Sequence, residues 1–263
     1  MIMPKYDPDN VYIAAPSAFP VKLEMRFSGK PLSVATGYIN TATSGPLLIT
    51  ARHNFTGRHQ QTGNCLSPRG GVPNEVVIRH NASEILTYVE RVEPLFDGDR
   101  PLWLEHPTLG ATADFAALPL TQLDGVCFDN SVFPFMPPMF RLTPGDPVNV
   151  IGYPFGAVGA GDLAIWTTGF IATEIDLDYE GLPKFLVDAR TRQGQSGSPV
   201  IAYRTGIARM RDGRLASLEM PAWDVLGIYS GRINDESDIG VVWKNSAVVE
   251  LINAIPRRKG DPK

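Results

Sequence analysis

Short apolar runs separated by turn residues recur along the whole chain and constrain its fold more than any other feature. The runs are rich in β-branched and aromatic residues, several alternate with polar residues, and 25 glycines and 23 prolines punctuate the sequence. Strands of this length and spacing predict an all-β sandwich or barrel. The predicted strands are residues 21–27, 33–40, 46–51, 75–80, 85–92, 114–120, 148–154, 164–172, 184–189, 198–203, 224–231 and 238–243.

A proline-rich stretch, residues 129–147, interrupts the strand pattern near the middle of the 263-residue chain. We interpret it as a connector between an N-terminal β-barrel in residues 1–130 and a C-terminal β-barrel in residues 131–263. One helix is predicted at about residues 246–255, where apolar residues follow at helical spacing. Asn245 and Ser246 are favourable residues for its N-terminal cap.

Composition and charge exclude several classes of function. The net charge of −4 creates no global basic field for nucleic acid, and no apolar run reaches the roughly 18 residues of a membrane-spanning helix. The start of the sequence lacks the apolar core of a signal peptide. Cys65 and Cys127 are few cysteines for a secreted chain of this size, so we expect a cytoplasmic location and two free thiols, with a disulfide left open.

Three residues that are distant in the sequence could together form a nucleophilic site. His53 follows the apolar strand in "LLITARHNF", and Asp114 begins the apolar strand in "DFAALPL". A partly buried carboxylate needs a hydrogen-bond donor, which an imidazole N–H would supply. Taken singly, His53 also fits an exposed loop and Asp114 also fits a strand-initiating turn. The other histidines, His59, His80 and His106, are predicted to have no catalytic role.

Ser196 lies between glycines in "TRQGQSGSPVIAY" and is the candidate nucleophile. Attack on a carbonyl needs a base within hydrogen-bond reach and N–H donors for the developing oxyanion. Gly194 permits its N–H and that of Ser196 to point to the same place, and Gly197 allows close backbone approach. The order His53, Asp114, Ser196 is one of the known orders of a catalytic triad.

Five blocks of the sequence resemble the chymotrypsin-like serine peptidases. These blocks are "ITARHNF", "DFAALPL", "GQSGSPV", "VNVIGYPFG" and "LGIYSGR", and the last two are similar to the bacterial and viral branch, which includes the high-temperature-requirement and glutamyl endopeptidases. The resemblance implies two packed six-stranded antiparallel β-barrels with the catalytic cleft between them. It also implies that main-chain N–H groups of Gly194 and Ser196 form the oxyanion hole, and that no cofactor or metal takes part.

The chain departs from the animal digestive members of this family at three positions. Asn54 stands where those members have a disulfide-bonded cysteine after the catalytic histidine. Gln195 replaces the aspartate that pairs with a new N-terminus, so activation by N-terminal trimming is not expected. Arg190 occupies the position of the aspartate at the floor of the trypsin pocket, which argues against a preference for Lys or Arg.

The sequence leaves the residue preference at the cleavage site open. Arg190, Thr191 and Arg232 could favour an acidic side chain, and the alternative is that both arginines point to solvent. The main chain of Ser230 to Arg232 is expected to pair with the substrate as an added strand. The full set expected to bind substrate is Arg190, Thr191, Gln193, Tyr229, Ser230, Gly231 and Arg232.

The function that these residues predict is a serine endopeptidase acting on a peptide or protein. Two alternatives remain: a catalytically silent module that binds peptides or proteins, and an esterase with the same triad. A cytoplasmic peptidase needs restraint, so a regulatory protein partner is a further expectation. Residues 56–75 and 204–223 exceed a minimal barrel, and the second is interpreted as a lid, a partner contact or a solvated hairpin.

Overall fold

The computed structural model describes residues 12–42, 45–68, 70–84, 86–128, 138–234 and 236–256. The described chain forms two six-stranded antiparallel sheets, followed by a C-terminal helix. This architecture is consistent with a two-barrel chymotrypsin-like fold and confirms the predicted fold class. The predicted boundary at residue 130 falls in residues 129–137, outside the described residues, so the domain division stays a prediction.

The first sheet lies entirely within residues 20–119 and has the strand order β5-β4-β1-β2-β3-β8. Its inward side chains, among them Leu23, Met25 and Ile78, are fully buried in one apolar cluster. A one-turn helix, α1 (Arg52–Thr56), follows β3, and a two-stranded ribbon of β6 (Phe96–Asp97) and β7 (Arg100–Pro101) follows β5. The sheet strands are β1 (Pro20–Phe27), β2 (Lys30–Ala42), β3 (Gly45–Thr50), β4 (Glu75–Asn81), β5 (Tyr88–Pro94) and β8 (Ala116–Pro119).

The second sheet closes into a six-stranded barrel with the order β10-β11-β14-β13-β12-β9. Valines and aromatic residues fill its interior, including Val150, Phe185 and Tyr229, because alternate residues of each strand point inward. Its strands are β9 (Pro147–Gly152), β10 (Ile165–Ile171), β11 (Lys184–Asp188), β12 (Pro199–Arg209), β13 (Leu215–Arg232) and β14 (Ile239–Lys244).

A third apolar cluster joins the two sheets and fixes their relative position. Tyr38 and Phe115 of the N-terminal half pack with Ile228 and Trp243 of the barrel. The C-terminal helix, α2 (Asn245–Ala254), buries its apolar face in the same cluster. Burial of these side chains stabilises the arrangement of both halves by roughly 1.5–3 kcal/mol for each fully buried side chain.

Several local features differ from the predictions or decide between the alternatives. The N-terminal cap position of α2 is Lys244, which has the extended backbone of β14 and forms no side-chain hydrogen bond to the helix. The prediction that Asn245 or Ser246 caps the helix is therefore wrong. Residues 204–223 form a hairpin that extends β12 and β13. Cys65 and Cys127 are free thiols. Among the described helices, none is long and apolar enough to span a membrane.

Candidate active site

Two hydrogen bonds join His53 and Asp114 at the edge of the first sheet. The Nδ1 atom of His53 lies 2.8 Å from one carboxylate oxygen of Asp114, and the main-chain N–H of His53 donates to the other oxygen at 3.0 Å. Asp114 is only 5% exposed. Because the carboxylate accepts at Nδ1, the neutral ring carries its proton there and leaves Nε2 as an acceptor.

Local backbone geometry places the two residues side by side. Ala51, which follows β3, still has an extended backbone, and α1 begins at the next residue. Gly57 ends α1 in the left-handed conformation with φ +62°. The helix is five residues long, so His53 stands on a single rigid turn at the end of the strand. Asp114 lies two residues before β8, which pairs with β3 from Leu47 to Thr50. The pair is therefore held by neighbouring strands of one sheet.

The environment of His53 alters its proton affinity in two opposing directions. Burial of the ring lowers its pKa, whereas the charge of Asp114 and the hydrogen bond to it raise the pKa. The net effect is a pKa above the ordinary value of 6.5. The Asp114 carboxylate thus stabilises the imidazolium form, which is what a base needs when it takes up a proton during a reaction.

Ser196 lies in the same cleft, on the turn before β12. Its Oγ donates a hydrogen bond to the main-chain carbonyl of Ser230 at 3.2 Å. Among the hydrogen bonds of the described residues, none joins Ser196 Oγ to His53. Hydrogen bonds of catalytic groups are often long or misaligned without substrate, and rotation about one side-chain bond redirects a serine hydroxyl.

Two glycines beside Ser196 are required by the backbone around it. Gly194 has φ +96°, and a Cβ there would lie 2.4 Å from the carbonyl oxygen of Tyr153. Gly197 has φ +91°, and a Cβ would lie 2.0 Å from the carbonyl oxygen of Thr36. Side chains tolerate neither the conformation nor these distances, so the sequence pattern Gly-x-Ser-Gly reflects a steric requirement on both sides of the serine.

Hydrogen bonds to their carbonyl oxygens fix the orientation of the peptide groups before Ser196. The carbonyl of Gln193 accepts the N–H of Phe155 at 2.6 Å, and the carbonyl of Gly194 accepts the hydroxyl of Thr36 at 2.7 Å. A trans peptide directs its N–H opposite to its C=O, so the Gly194 N–H points away from Phe155. Within the described part of the chain, no acceptor binds the N–H of Gly194 or that of Ser196.

Thr36 of β2 links the first sheet to the serine turn, a role that the sequence patterns did not reveal. Its hydroxyl accepts the N–H of Tyr153 at 3.0 Å while it donates to Gly194. Its main-chain N–H donates to the carbonyl of Ser196 at 3.1 Å. Asn54 donates to the same carbonyl at 3.1 Å. The fully buried Thr36 therefore orients two successive parts of the serine turn from the opposite sheet.

Gln195 stands where the digestive enzymes have an aspartate. Its side chain is buried, and both its amide oxygen and its amide nitrogen form hydrogen bonds. Its Oε1 accepts the N–H of Arg192 at 2.8 Å, and its Nε2 donates to the hydroxyl of Thr167 at 2.9 Å. The neutral amide joins the serine turn to strand β10. The side chain of Gln195 thus helps to hold the turn through hydrogen bonds to Arg192 and Thr167.

The cleft around Ser196 has a volume of about 1110 Å³ and is lined by both halves of the protein. The segment after α1 contributes His59 and Gln60, which sequence reasoning had not assigned to the site. Among the described residues, no cluster of three His, Cys, Asp or Glu side chains could hold a metal ion. The predicted residues that line the cleft are His53, Asp114, Thr191, Gln193, Gly194, Ser196, Tyr229, Ser230, Gly231 and Arg232.

Arg190 does not line this cleft. Its side chain is 84% exposed, and its Nε lies 3.7 Å from the carboxylate of Asp238. The expectation that Arg190 helps to bind an acidic substrate side chain is therefore replaced by the alternative, in which the guanidinium faces solvent. Arg192 contacts the same carboxylate at 3.2 Å. One aspartate thus partly neutralises both arginines.

Two of the other histidines are buried in structural positions. Burial, with a smaller effect of Arg91, lowers the pKa of His80 to about 4, so this ring is neutral near pH 7. The Nδ1 atom of His106 accepts N–H groups of the turn that follows it, at 3.3 Å from Thr108 and 3.2 Å from Leu109. Neither ring lines the cleft, whereas the exposed His59 does.

No protein-family model and no curated protein matches the sequence. Solved structures with a similar fold include two bacterial proteases. The serine endoprotease of Yersinia pestis aligns with 93% of this chain and 69% of its own chain, at 17% identity and a TM-score of 0.49. The active form of the Rv3671c protease of M. tuberculosis aligns with 97% of this chain and 90% of its own, at 19% identity and a TM-score of 0.47.

Proposed function

We propose that the protein is a serine endopeptidase that hydrolyses peptide bonds through an acyl-enzyme. The observation that carries this proposal is the hydrogen-bonded pair of His53 and Asp114 lining one cleft with Ser196, beside two N–H groups that receive no acceptor from the described residues. A base, an orienting acid, a nucleophile and an oxyanion site are the four parts that acyl transfer requires.

In the proposed reaction, Ser196 Oγ attacks the carbonyl carbon of the scissile peptide bond. His53 Nε2 takes the hydroxyl proton as the Oγ–C bond forms, and Asp114 stabilises the resulting imidazolium. The imidazolium then gives the proton to the leaving amine as the C–N bond breaks. Water attacks the acyl-enzyme with His53 again acting as the base, which releases the acid product and restores Ser196.

The proposed oxyanion site consists of the N–H groups of Gly194 and Ser196. Negative charge develops on the carbonyl oxygen in the tetrahedral intermediate, and pre-oriented N–H groups stabilise this charge without further reorganisation. The Gly194 N–H shares a peptide group with the Gln193 carbonyl, and the Ser196 N–H shares one with the Gln195 carbonyl, which accepts the N–H of Ser198 at 3.0 Å. The hydrogen bonds of these two carbonyls support the orientation of both donors before substrate binds. Loss of one such donor reduces kcat by roughly 10²–10³ in serine peptidases.

Strand β13 is suited to hold the peptide substrate. Its ladder with β12 ends at the pair of Pro199 and Ile228, whereas its ladder with β14 continues to Arg232. The main chain of Ser230 and Gly231 therefore lines the cleft with one edge beyond the β12 ladder. An extended peptide can add to such an edge through main-chain hydrogen bonds. This arrangement would present a peptide bond to Ser196, which favours a peptide substrate over a small ester.

Cleavage-site profiling with a mixture of peptides tests the proposal. We expect the wild type and Ser217→Ala, a change at an exposed hairpin residue, to give the same cleavage products. Ser196→Ala should give none. Products that persist in Ser196→Ala would refute the assignment of the nucleophile. Hydrolysis of small esters without any peptide cleavage would favour the esterase alternative.

The silent binding module makes a different prediction for the same variants. Such a module would bind peptides equally well with Ser196→Ala and would cleave none of them.

We further propose that the isolated chain digests a generic protein such as casein only weakly, because a cytoplasmic peptidase needs restraint. The cytoplasmic location and the regulatory partner remain predictions, and vigorous casein digestion would count against restraint by specificity or a partner.

A further inference from the structure

A recess beside Ser196 is bounded by two segments that both line the cleft. Residues 191–193 form one side, and Ser230 to Arg232 of β13 form the other. In the proposed reaction the attacked carbonyl oxygen lies at the N–H groups of Gly194 and Ser196, and the substrate main chain lies along β13. In this arrangement the side chain that precedes the scissile bond enters this recess.

The ring of Tyr229 occupies the inner end of this recess. Tyr229 is 2% exposed, and its hydroxyl lies 2.5 Å from Oγ1 of Thr191, which is 1% exposed. Gly240 provides the space for the ring, because a Cβ at that position would lie 2.4 Å from Cε2 of Tyr229. Ring, hydroxyl pair and glycine thus fit together, and the ring occupies the space beside Thr191.

The charged groups that act on Tyr229 are of both signs, namely Arg192, Arg232 and Asp238. Arg190 and Arg192 both lie within 4 Å of the Asp238 carboxylate, at 3.7 Å and 3.2 Å. The buried hydroxyls of Thr191 and Tyr229 bond to each other rather than to an incoming group. Burial raises the pKa of Tyr229 to about 12, so the phenol is neutral and adds no charge of either sign near pH 7.

We propose that Tyr229 restricts the residue before the scissile bond to small side chains, such as Ala, Ser, Thr or Val. This inference rests on the proposed peptidase function and adds the substrate class. A larger side chain would have to displace the buried ring and break the bond between Tyr229 and Thr191. Because each misfitting methylene in such a pocket changes selectivity by roughly 10–200-fold, a Phe or Arg substrate should be poorer by about 100-fold or more.

A series of peptides that differ only in the residue before the scissile bond tests this inference. The measured quantity is kcat/KM for Ala, Val, Leu, Phe, Glu and Arg substrates. We expect the wild type to favour Ala and Val. Tyr229→Ala should raise the value for Leu and Phe substrates by roughly 10–100-fold, because it removes the ring. Tyr229→Phe is the matched control, since it keeps the ring and should keep the preference for small residues.

Labelling of Ser196 by a fluorophosphonate separates this inference from the proposed function. If the wild type is labelled and cleaves peptides after Leu, Phe, Glu or Arg as well as after Ala, the inference is wrong and the function stands. If neither labelling nor cleavage occurs, the proposed function itself fails. If Tyr229→Ala does not fold, the wild-type profile alone decides the preference for small residues. A folded, labelled Tyr229→Ala with unchanged selectivity would also overturn the role of the ring.

Discussion

Thr36→Val should damage the serine turn from the opposite sheet, without touching a reacting atom. Valine has nearly the shape of threonine but lacks the hydroxyl, which accepts from Tyr153 at 3.0 Å and donates to Gly194 at 2.7 Å. The change leaves one buried N–H and one buried C=O without these partners. At about 1–3 kcal/mol for each unsatisfied group, the free energy of unfolding should fall by roughly 2–6 kcal/mol.

Loss of the Thr36 hydroxyl should lower kcat as well as the free energy of unfolding. The Gly194 carbonyl belongs to the peptide group that lies between those carrying the N–H groups of Gly194 and Ser196, so loss of its bond to Thr36 lets both neighbouring donors reorient. Misalignment of one oxyanion donor corresponds to a decrease in kcat of roughly 10²–10³. KM should change little, because the substrate strand binds along β13 and not at Thr36.

Urea unfolding and steady-state kinetics of three variants measure both effects. Thr36→Ser keeps the hydroxyl and should restore most of kcat. Thr173→Val is the matched control, because its hydroxyl accepts a single N–H, that of Leu186 at 3.0 Å, away from the site. A Thr36→Val variant that loses stability but keeps the kcat of the Thr173→Val control would refute this role of Thr36.

Two further changes address the base and the serine turn. Activity requires unprotonated His53, so kcat/KM should rise with pH through the raised pKa of His53, above 6.5. Asp114→Asn should reduce kcat/KM by about 10⁴. It should also move the rise of kcat/KM to lower pH, because only burial, which lowers the pKa of His53, then remains. A rise at unchanged pH would contradict the pairing of His53 with Asp114. Gly197→Ala should unfold the turn or abolish fluorophosphonate labelling of Ser196, because its Cβ would lie 2.0 Å from the Thr36 carbonyl oxygen. Gly63→Ala is the control, since Gly63 also has a positive φ but its Cβ would have no neighbour within 4 Å. This control should lower the melting temperature only slightly.

Patterns within single segments were sufficient to predict most of the fold. Alternating apolar runs predicted the strands of both sheets, because each buries one face of a pleated strand. The five-residue helix α1 was not predicted, since one turn is too short to show a helical period. Strand β12 continues to Arg209 although charged residues begin at Arg204, because the hairpin closes through a turn in which Gly213 has φ +89°.

The candidate site was predictable only where a residue type carries the chemistry. His53, Asp114 and Ser196 were found from their types and order, and the structure brings all three to one cleft. The role of Thr36 depends on contact with Gly194, 158 residues away, and no local pattern reports such a contact. The position of Arg190 likewise depends on Asp238, which a distant loop brings within 3.7 Å.

Labelling with a fluorophosphonate, followed by peptide mass spectrometry, is the most direct test of the central claim. We expect one covalent adduct on Ser196 of the folded protein. His53→Ala should slow labelling strongly, and Ser196→Ala should abolish it, while the hairpin control Ser217→Ala should label like the wild type. A folded wild type that never labels at Ser196, or that labels equally fast without His53, would contradict the account.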